Sequence, residues 1–485
     1  MKKILRLYLL ALSGLFVTSC NDAVDIIQDG ELPPDKAFES VEDLEQGVYG
    51  VFASIPGETE LLFTSLFTDE AAIGVANGGQ GRDGDLSFVL HPGTSHANSI
   101  WRSYYGLISD ANWFLEGAAN VEVTEENQQA YNHFLAQVRG IRAYAHFKLL
   151  TYFSPDLKDD NALGVIKLDF IPSITAQLPR ATNGEVFDLI FEDLDFVEAN
   201  VNDNSTVASG KKFVTKDFVT AMRARIAAYR GQYDLAEAYA DELIGKYNLS
   251  TNLVYMNIWK DFDGLPDEVI FKIDRSAGAN FAQVWASINS TATGSCFFEV
   301  GRALFNLIEP GDIRIDVITD PTRVVNPDYQ NSEDYINTDI LPVGKYPGSF
   351  GIQLMNCIKV FRLSEMYFIK AEARAAANDF QGATDAINAV RDARGASAVS
   401  FGNAQEAWAG ILKERRIELA FEGHRYIDLK RLGTLAGAQV DRDPMDCAWD
   451  GNCTLSVTDY RFTMPIPLSE LNVNSVISAQ QNPNY

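Results

Sequence analysis

The chain has 485 residues, and its 46% hydrophobic and 22% charged content is typical of a packed globular protein. It carries 66 acidic residues against 40 basic ones, a formal net charge of −26. That balance argues against nucleic-acid binding, because such binding relies on clustered lysine and arginine side chains. The acidity indicates a well-solvated surface and does not by itself identify a ligand.

The N-terminus has the pattern of a secretion signal. Basic residues precede an apolar run from Leu7 to Val17, which is too short to span a membrane. The sequence VTSC, residues 17–20, is similar to a bacterial lipobox, in which cleavage leaves the cysteine as the lipid-modified first residue. We therefore expect Cys20 to carry a lipid anchor.

The rest of the chain is predicted to form one domain. Residues 1–19 are the expected signal peptide, residues 20–35 an acidic tether, and residues 36–485 a single body. No later stretch is apolar enough to cross a bilayer, so we expect the lipid alone to hold this body at the membrane.

Helical patterns dominate the body. Ser40 and Asp43 form a capping box that begins a helix ending before Pro56. Thr68–Gly93 is glycine-rich and aperiodic, and it is predicted to be a long loop, which we call the first loop. Further helices are predicted over Ser99–Ala118, Glu126–Phe153 and Asn183–Val201.

Two later stretches resemble each other and predict tetratricopeptide-like helix pairs. Tyr233 corresponds to Phe380, and Ala236 corresponds to Ala383. Small alanines let two helices approach closely, and the aromatic ring fills the adjoining groove. The two units are not contiguous in the chain, so a regular solenoid is not expected.

The segment between these units, about residues 249–350, is predicted to be a loop-rich insertion. Glu268–Ile273 alternates and contains β-branched residues, which predicts a strand. Loops on a rigid helical frame are a usual place for a binding surface.

Near the C-terminus, Ala404–Gly433 predicts a long helix, a stop at Gly423 and a shorter helix. Glu414, Glu418 and Glu422 are spaced four apart, which would stack three carboxylates on one helical face. Like charges at that spacing repel, so we expect a dense arginine–glutamate network to hold these helices to the rest of the fold. The local candidate cations are Arg415, Arg416, Arg425 and Arg431, with Asp428 nearby.

The sequence offers few signs of metal or catalytic chemistry. Cys447 and Cys453 flank an Asp450-Gly451 turn that could bring them together in an oxidising compartment. No CxxC pair accompanies them, and the histidines lack metal-type spacing, so we expect no metal and no cofactor. No nucleophile elbow, P-loop or zinc-protease motif is present, so no catalytic residue is assigned.

ERRIELAFEGHRYIDLKRLG, residues 414–433, closely resembles the C-terminal signature of the SusD/RagB family of outer-membrane nutrient-binding lipoproteins. Phe361–Asn378 is similar to the family helix that precedes this signature, and Tyr460–Tyr485 is similar to its closing segment. The resemblance implies a mainly α fold, a tetratricopeptide-like helical frame with a loop-rich insertion that carries short strands.

The resemblance also implies a function and partners. It implies a lipoprotein that captures an oligosaccharide, or alternatively a peptide, and delivers it without chemistry to a SusC-like TonB-dependent transporter. The implied site combines the first loop, the next helix and the insertion, where aromatic faces and polar groups suit such ligands. The candidate residues are Asp69, Arg82, Asp83, Asn98, Trp101, Phe281, Trp285, Phe297 and Phe298.

Two other interpretations remain open from the residues alone. A helical scaffold could bind only protein, although it would not need the aromatic residues of the insertion. A lipid-anchored glycoside hydrolase could use acids such as Glu414, but catalytic carboxylates must flank a substrate and not line one helix.

Overall fold

A computed structural model describes residues 38–78, 84–262, 267–275, 296–349, 352–353 and 355–485. The predicted signal peptide, Cys20 and the predicted tether lie outside these residues. Four candidate ligand residues also lie outside them, namely Arg82, Asp83, Phe281 and Trp285. Within the described part of the chain, no helix is both long enough and apolar enough to span a membrane.

The body opens with two helices and a short strand. Helix α1 is Val41–Ala53, and the predicted capping box is confirmed, since Ser40 and Asp43 exchange both hydrogen bonds. Helix α2, Glu58–Phe67, was not predicted. Strand β1, Ala71–Ile73, lies inside the first loop, so that loop is less irregular than its composition suggested.

Three long helices follow: α3 is Ser95–Ala118, α4 is Gln128–Phe153 and α5 is Asn183–Asn200. Helix α3 begins at Ser95 and not at the predicted Ser99. Helix α4 packs against α1, α3 and α5, and its second half is buried almost continuously. Its buried Gln137 is satisfied by exchanging two 2.8 Å hydrogen bonds with the backbone of Val214.

The predicted helix pairs are confirmed. The first pair is α6, Lys216–Tyr229, and α7, Tyr233–Ile244. After helix α8, Asn252–Ile258, and the insertion, the second pair is α12, Leu363–Ala376, and α13, Phe380–Ala393. Tyr233 and Phe380 each begin the second helix of a pair, and Ala236 and Ala383 are fully buried. Helix α12 also packs against α7, so the two pairs stack although the insertion separates them in sequence.

The insertion contributes short elements. Strand β2 is Val269–Ile273, one residue shorter than the predicted Glu268–Ile273, and strand β3 is Phe298–Val300. All five residues of β2 are buried, so the alternation in its sequence does not mark a solvent-facing side. Short helices α9 to α11 and strands β4 and β5 follow at Arg302–Phe305, Ile315–Ile318, Tyr335–Thr338, Gly348–Ser349 and Ile352–Gln353. Strand β6, Ile358–Arg362, pairs antiparallel with β2.

Helices α14, Ala404–Glu418, and α15, Arg425–Ala436, form what we call the C-terminal hairpin. Helix α14 ends at Glu418, so Glu422 lies in the turn and the prediction of three glutamates on one helical face was wrong. Gly423 lies beyond the end of α14, so the predicted stop at this residue was wrong, although its φ of +82° is in the left-handed region that glycine favours. The last elements are β7, β8, α16 and α17, at Val440–Asp441, Thr454–Leu455, Leu468–Leu471 and Ser475–Ser478.

A disulfide joins Cys447 to Cys453, with their Cα atoms 5.3 Å apart. The sequence had left this pairing open. The segment between β7 and β8 that contains it is called the disulfide loop. The remaining described cysteines, Cys296 and Cys357, are buried thiols.

Candidate functional site

Glu414 is held by arginines from two other elements. Its Oε1 accepts a 2.6 Å hydrogen bond from Arg314 of the insertion, and its Oε2 accepts one of 2.6 Å from Arg391 of α13. Glu414 is only 2% exposed. Both carboxylate oxygens are therefore engaged inside the protein, which does not fit the glycoside-hydrolase interpretation that used this residue.

Glu418 and Glu422 are also paired with distant cations. Arg362 of β6 and Arg394, which directly follows α13, donate to Glu418 Oε1 at 2.9 and 2.8 Å. Arg362 also donates to Glu422, whose Oε1 accepts a 2.7 Å hydrogen bond from Lys345. Burial acts to raise the pKa of Glu418, but Arg394 and Arg362 hold it well below its ordinary value. This acid remains ionised and has no proton to donate in catalysis.

The arginines that neighbour these glutamates in sequence have other partners. Arg415 and Arg431 share Asp428, and Arg431 also donates to Glu372 of α12. The expectation that arginines nearby in the sequence form ion pairs with the three glutamates was therefore wrong. On a helix, residues one apart point in different directions, so the glutamates and arginines of α14 face different neighbours.

Asp69 is the first candidate ligand residue that the structure describes. It is 1% exposed, and its two oxygens accept hydrogen bonds of 2.8 and 2.9 Å from Arg425. Burial acts to raise the pKa of Asp69, but Arg416 and Arg425 lower it overall. Asp69 thus joins the first loop to the C-terminal hairpin, and its carboxylate faces the protein interior.

The first loop and the insertion meet along β1 and β3, which we call the seam. The two strands pair antiparallel, with Ala71 opposite Val300 and Ile73 opposite Phe298. Beyond β1, the Gly74 amide donates to the Phe297 carbonyl at 3.0 Å. The structure therefore brings together two of the three regions that the family resemblance implied for the site.

The two candidate phenylalanines of the insertion lie at this seam. Phe297 and Phe298 contact each other edge to face, with ring centroids 4.9 Å apart. Phe298 is 6% exposed and belongs to the core, whereas Phe297 is partly buried. Of the pair, Phe297 has the accessible surface that contact with a ligand requires.

Asn98 and Trp101 of α3 contact the C-terminal segment. Asn98 accepts a 2.5 Å hydrogen bond from Ser469, and the Trp101 indole N–H donates to Glu470 at 3.3 Å. Trp101 is 2% exposed and packs edge to face on Phe153. It forms one wall of a cleft of about 360 Å³ that also contains Arg102, Tyr105 and Asn474. The contacts of Asn98 and Trp101 are thus with α16 and not with the seam.

Sequence reasoning missed an acidic cluster that joins the insertion to the disulfide loop. Tyr335 donates to Asp446, and Tyr329 donates to Asp443 at 2.7 Å. Glu299 of β3 accepts a 2.6 Å hydrogen bond from the Leu341 amide. Burial raises the pKa of Glu299 to about 8 and that of Asp446 to about 7. No local pattern could reveal this cluster, because its members come from segments more than a hundred residues apart.

Two family models match the chain. The SusD family model matches residues 343–485, and a model described as "Starch-binding associating with outer membrane" matches residues 28–229. Together with the fold, these matches show that the chain belongs to the SusD/RagB family.

Relatives and solved structures resemble most of the chain. Two SusD-like proteins of Formosa agariphila are 22% and 23% identical over 91% and 94% of this chain and 95% of each relative. A SusD superfamily protein from Bacteroides thetaiotaomicron has a TM-score of 0.77 at 20% identity, covering 92% of this chain and all of its own. A SusD-like carbohydrate binding protein from Bacteroides vulgatus has a TM-score of 0.72 at 19% identity, covering 91% and 98%. The mainly helical SusD-like fold is therefore shared.

Proposed function

We propose that this protein binds an oligosaccharide at the outer face of an outer membrane and passes it unchanged to a SusC-like TonB-dependent transporter. The starch-binding description of the matching family model and the carbohydrate-binding relative of the same fold support a saccharide ligand. The lipobox-like sequence before Cys20 supports attachment of the protein by a lipid.

The observation that carries the proposal is the seam. Pairing of β1 with β3 anchors the first loop and the insertion to each other, and Phe297 lies beside that pairing. Aromatic faces supply adhesion to sugar rings, and fixed polar groups nearby orient the hydroxyls. We infer that the ligand lies across this seam and contacts Phe297, with Arg82, Asp83, Phe281 and Trp285 as further candidates.

The proposal includes that the saccharide is bound without any covalent bond being made or broken. Glu414, the acid that a hydrolase interpretation would use, is saturated by Arg314 and Arg391. A binding protein that feeds a transporter needs only reversible contacts, which stacking and hydrogen bonds provide.

The test is calorimetric titration of residues 20–485, with the C20S substitution to prevent lipid attachment, against neutral and acidic oligosaccharides and peptides. Phe297→Ala should weaken saccharide binding roughly tenfold, since one aromatic contact contributes about 0.5–1.5 kcal/mol beyond its buried area. Trp113→Ala is the matched control, because Trp113 is a 43% exposed aromatic on α3. The control should bind like the parent protein.

Other outcomes separate the alternatives. Binding of peptides alone would keep the capture role and change the substrate class. Absence of any small ligand, together with a stable complex with a transporter barrel, would leave the protein-only scaffold as the better account. Release of shortened products from a bound saccharide would overturn capture without chemistry.

A further inference from the structure

Two arginines share the single carboxylate of Asp69. Arg425 forms a two-pronged ion pair with this carboxylate, and Arg416 lies 3.3 Å from its Oδ1 and donates to its backbone carbonyl at 2.7 Å. Arg442 makes no ion pair with a carboxylate among the described residues. It donates instead to the backbone carbonyls of Leu66, Thr68, Leu86 and Asn452. Asp69 thus pairs with two guanidinium groups, while Arg442 lies in the combined field of Asp69, Asp450, Asp446 and Asp85.

The other acids that face Arg416 and Arg425 are Glu70, Asp441 and Asp428, and Asp428 is already paired with Arg415 and Arg431. Glu70 is buried, and burial raises its pKa to about 7, so it carries only part of a charge at neutral pH. Asp441 donates its backbone amide to Asp69 at 3.0 Å, while its side chain lies at an exposed position. Burial lowers the pKa of Arg416 to about 10 despite the opposing effect of Asp69, and burial likewise lowers the pKa of Arg442 to about 10.

A cleft of about 430 Å³ opens over Arg416 and Arg425. Its walls include Lys413, Arg416, Arg425 and Asp441, together with the apolar side chains of Leu307 and Leu412. Lys413 is exposed on α14 and has no ion pair among the residues that the structure describes. The volume falls within the range of about 300–1,000 Å³ that is usual for small-molecule sites.

The cleft shares its elements with the seam. Asp69, which pairs with the cleft residue Arg425, is separated from β1 by one residue, and Leu307 follows α9, the helix that continues from β3. A saccharide that crosses the seam could therefore extend one residue into this cleft. Arg425 uses its Nε and Nη2 donors on Asp69, so the cleft offers a carboxylate or sulfate oxygen the Lys413 ammonium and the remaining arginine donors.

We infer that this cleft binds a single oxyanion, the carboxylate or sulfate of an acidic saccharide. This inference rests on the proposed function, because it specifies which part of the ligand the protein recognises. The acidity of the whole chain does not oppose it, since charges beyond about 8 Å are largely screened at physiological salt. Local cations decide the recognition.

The experiment titrates residues 20–485 carrying C20S with three tetrasaccharides: a galacturonate, a sulfated carrageenan and neutral maltotetraose. At least one acidic probe should bind more tightly than maltotetraose, and which one binds tells carboxylate from sulfate. Lys413→Gln should weaken acidic binding by roughly threefold to tenfold, and Lys413→Glu should weaken it further. Binding should also weaken as salt rises.

Two controls separate this inference from the proposed function. Lys216→Gln removes an exposed lysine from α6, which does not line the cleft, and it should leave acidic binding unchanged. Tight binding of maltotetraose alone would support the proposed function and overturn the anion site. Binding of galacturonate monomer or inorganic sulfate, lost in Lys413→Glu without any oligosaccharide binding, would support the anion site and overturn the proposed function. Equal affinity of the parent and Lys413→Glu for the acidic probes would overturn the anion site.

Discussion

Arg362 and Glu418 join strand β6 to the C-terminal hairpin through a 2.9 Å hydrogen bond between two fully buried side chains. The same guanidinium donates to Glu268 and Glu422, so one side chain connects β6 to the residue before β2 and to the turn after α14. The most recognisable stretch of this sequence is therefore a structural junction. Its charge pairs hold together the frame on which the candidate site rests.

Glu418→Ala should destabilise the protein strongly. The substitution leaves Arg362 and Arg394 with less negative charge in the interior, and breaking a buried ion pair typically costs about 3–5 kcal/mol. Urea unfolding, followed by circular dichroism, measures the loss in the free energy of unfolding. Glu116→Ala, at an exposed position on α3, is the control and should change that free energy by less than about 0.5 kcal/mol. A loss of similar size in both variants would contradict the assignment of Glu418 to a structural network.

The raised pKa of Glu299 predicts that the stability of the folded protein depends on pH. Burial raises its pKa from 4.5 to about 8 in the folded protein, so folding takes up a proton between those values. The stabilisation is complete below about pH 4.5 and is lost as pH rises through 8. Glu299→Gln keeps an acceptor for the Leu341 amide and removes the titration. Its free energy of unfolding relative to the parent should rise between pH 6 and 8, by on the order of 1–2 kcal/mol.

The comparison with the parent is needed because other buried groups titrate in the same range. Asp446 and Glu70 each have a pKa raised to about 7 by burial, and burial lowers the pKa of Lys430 to about 7. Only the difference between Glu299→Gln and the parent isolates Glu299. A difference that stays constant from pH 5 to 9 would show that this carboxyl is not protonated on folding.

Gly74→Ala should disrupt the seam. A Cβ atom at this position would lie 2.5 Å from the carbonyl oxygen of Cys296, which is closer than packed atoms approach. The backbone on one side must therefore shift, and we expect saccharide binding to weaken more than tenfold in calorimetry if the ligand lies across the seam. Gly50→Ala in α1 is the matched control, since nothing lies within 4 Å of the methyl group that alanine would add there. That control should bind normally and be more stable by about 0.5–1 kcal/mol.

Removal of the disulfide should lower stability modestly. Cys447 and Cys453 are six positions apart, and closing so short a loop restricts the unfolded chain by about 2 kcal/mol in the chain-entropy account. The double variant C447S/C453S should lose roughly that much free energy of unfolding in urea. Dithiothreitol should produce a similar loss in the parent and none in the double variant. A reductant effect in the double variant would point to a different source of the loss.

Local sequence patterns were sufficient for the frame. The capping box at Ser40, the helical periodicity of α3 to α5 and the aromatic residues that begin α7 and α13 each depend on neighbours within a few turns. Such interactions are encoded in consecutive residues, so they can be read without knowledge of the fold. The long motif at residues 414–433 is also a run of consecutive residues, so it identified the family without knowledge of the fold.

The candidate site required the tertiary structure. The sequence placed Asp69 and Phe298 among the ligand candidates because of their segments, but burial against Arg425 and within the core depends on how those segments pack. It likewise predicted that arginines nearby in the sequence would form ion pairs with Glu414 and Glu418. In the structure Glu414 is paired with Arg314 and Arg391. Glu418 is paired with Arg394 and Arg362. Ion pairs between segments that lie 23 to 100 residues apart leave no periodic trace in the chain. The sequence by itself therefore determined the helical frame and the family, and only packing decided which charges are paired and which remain open to a ligand.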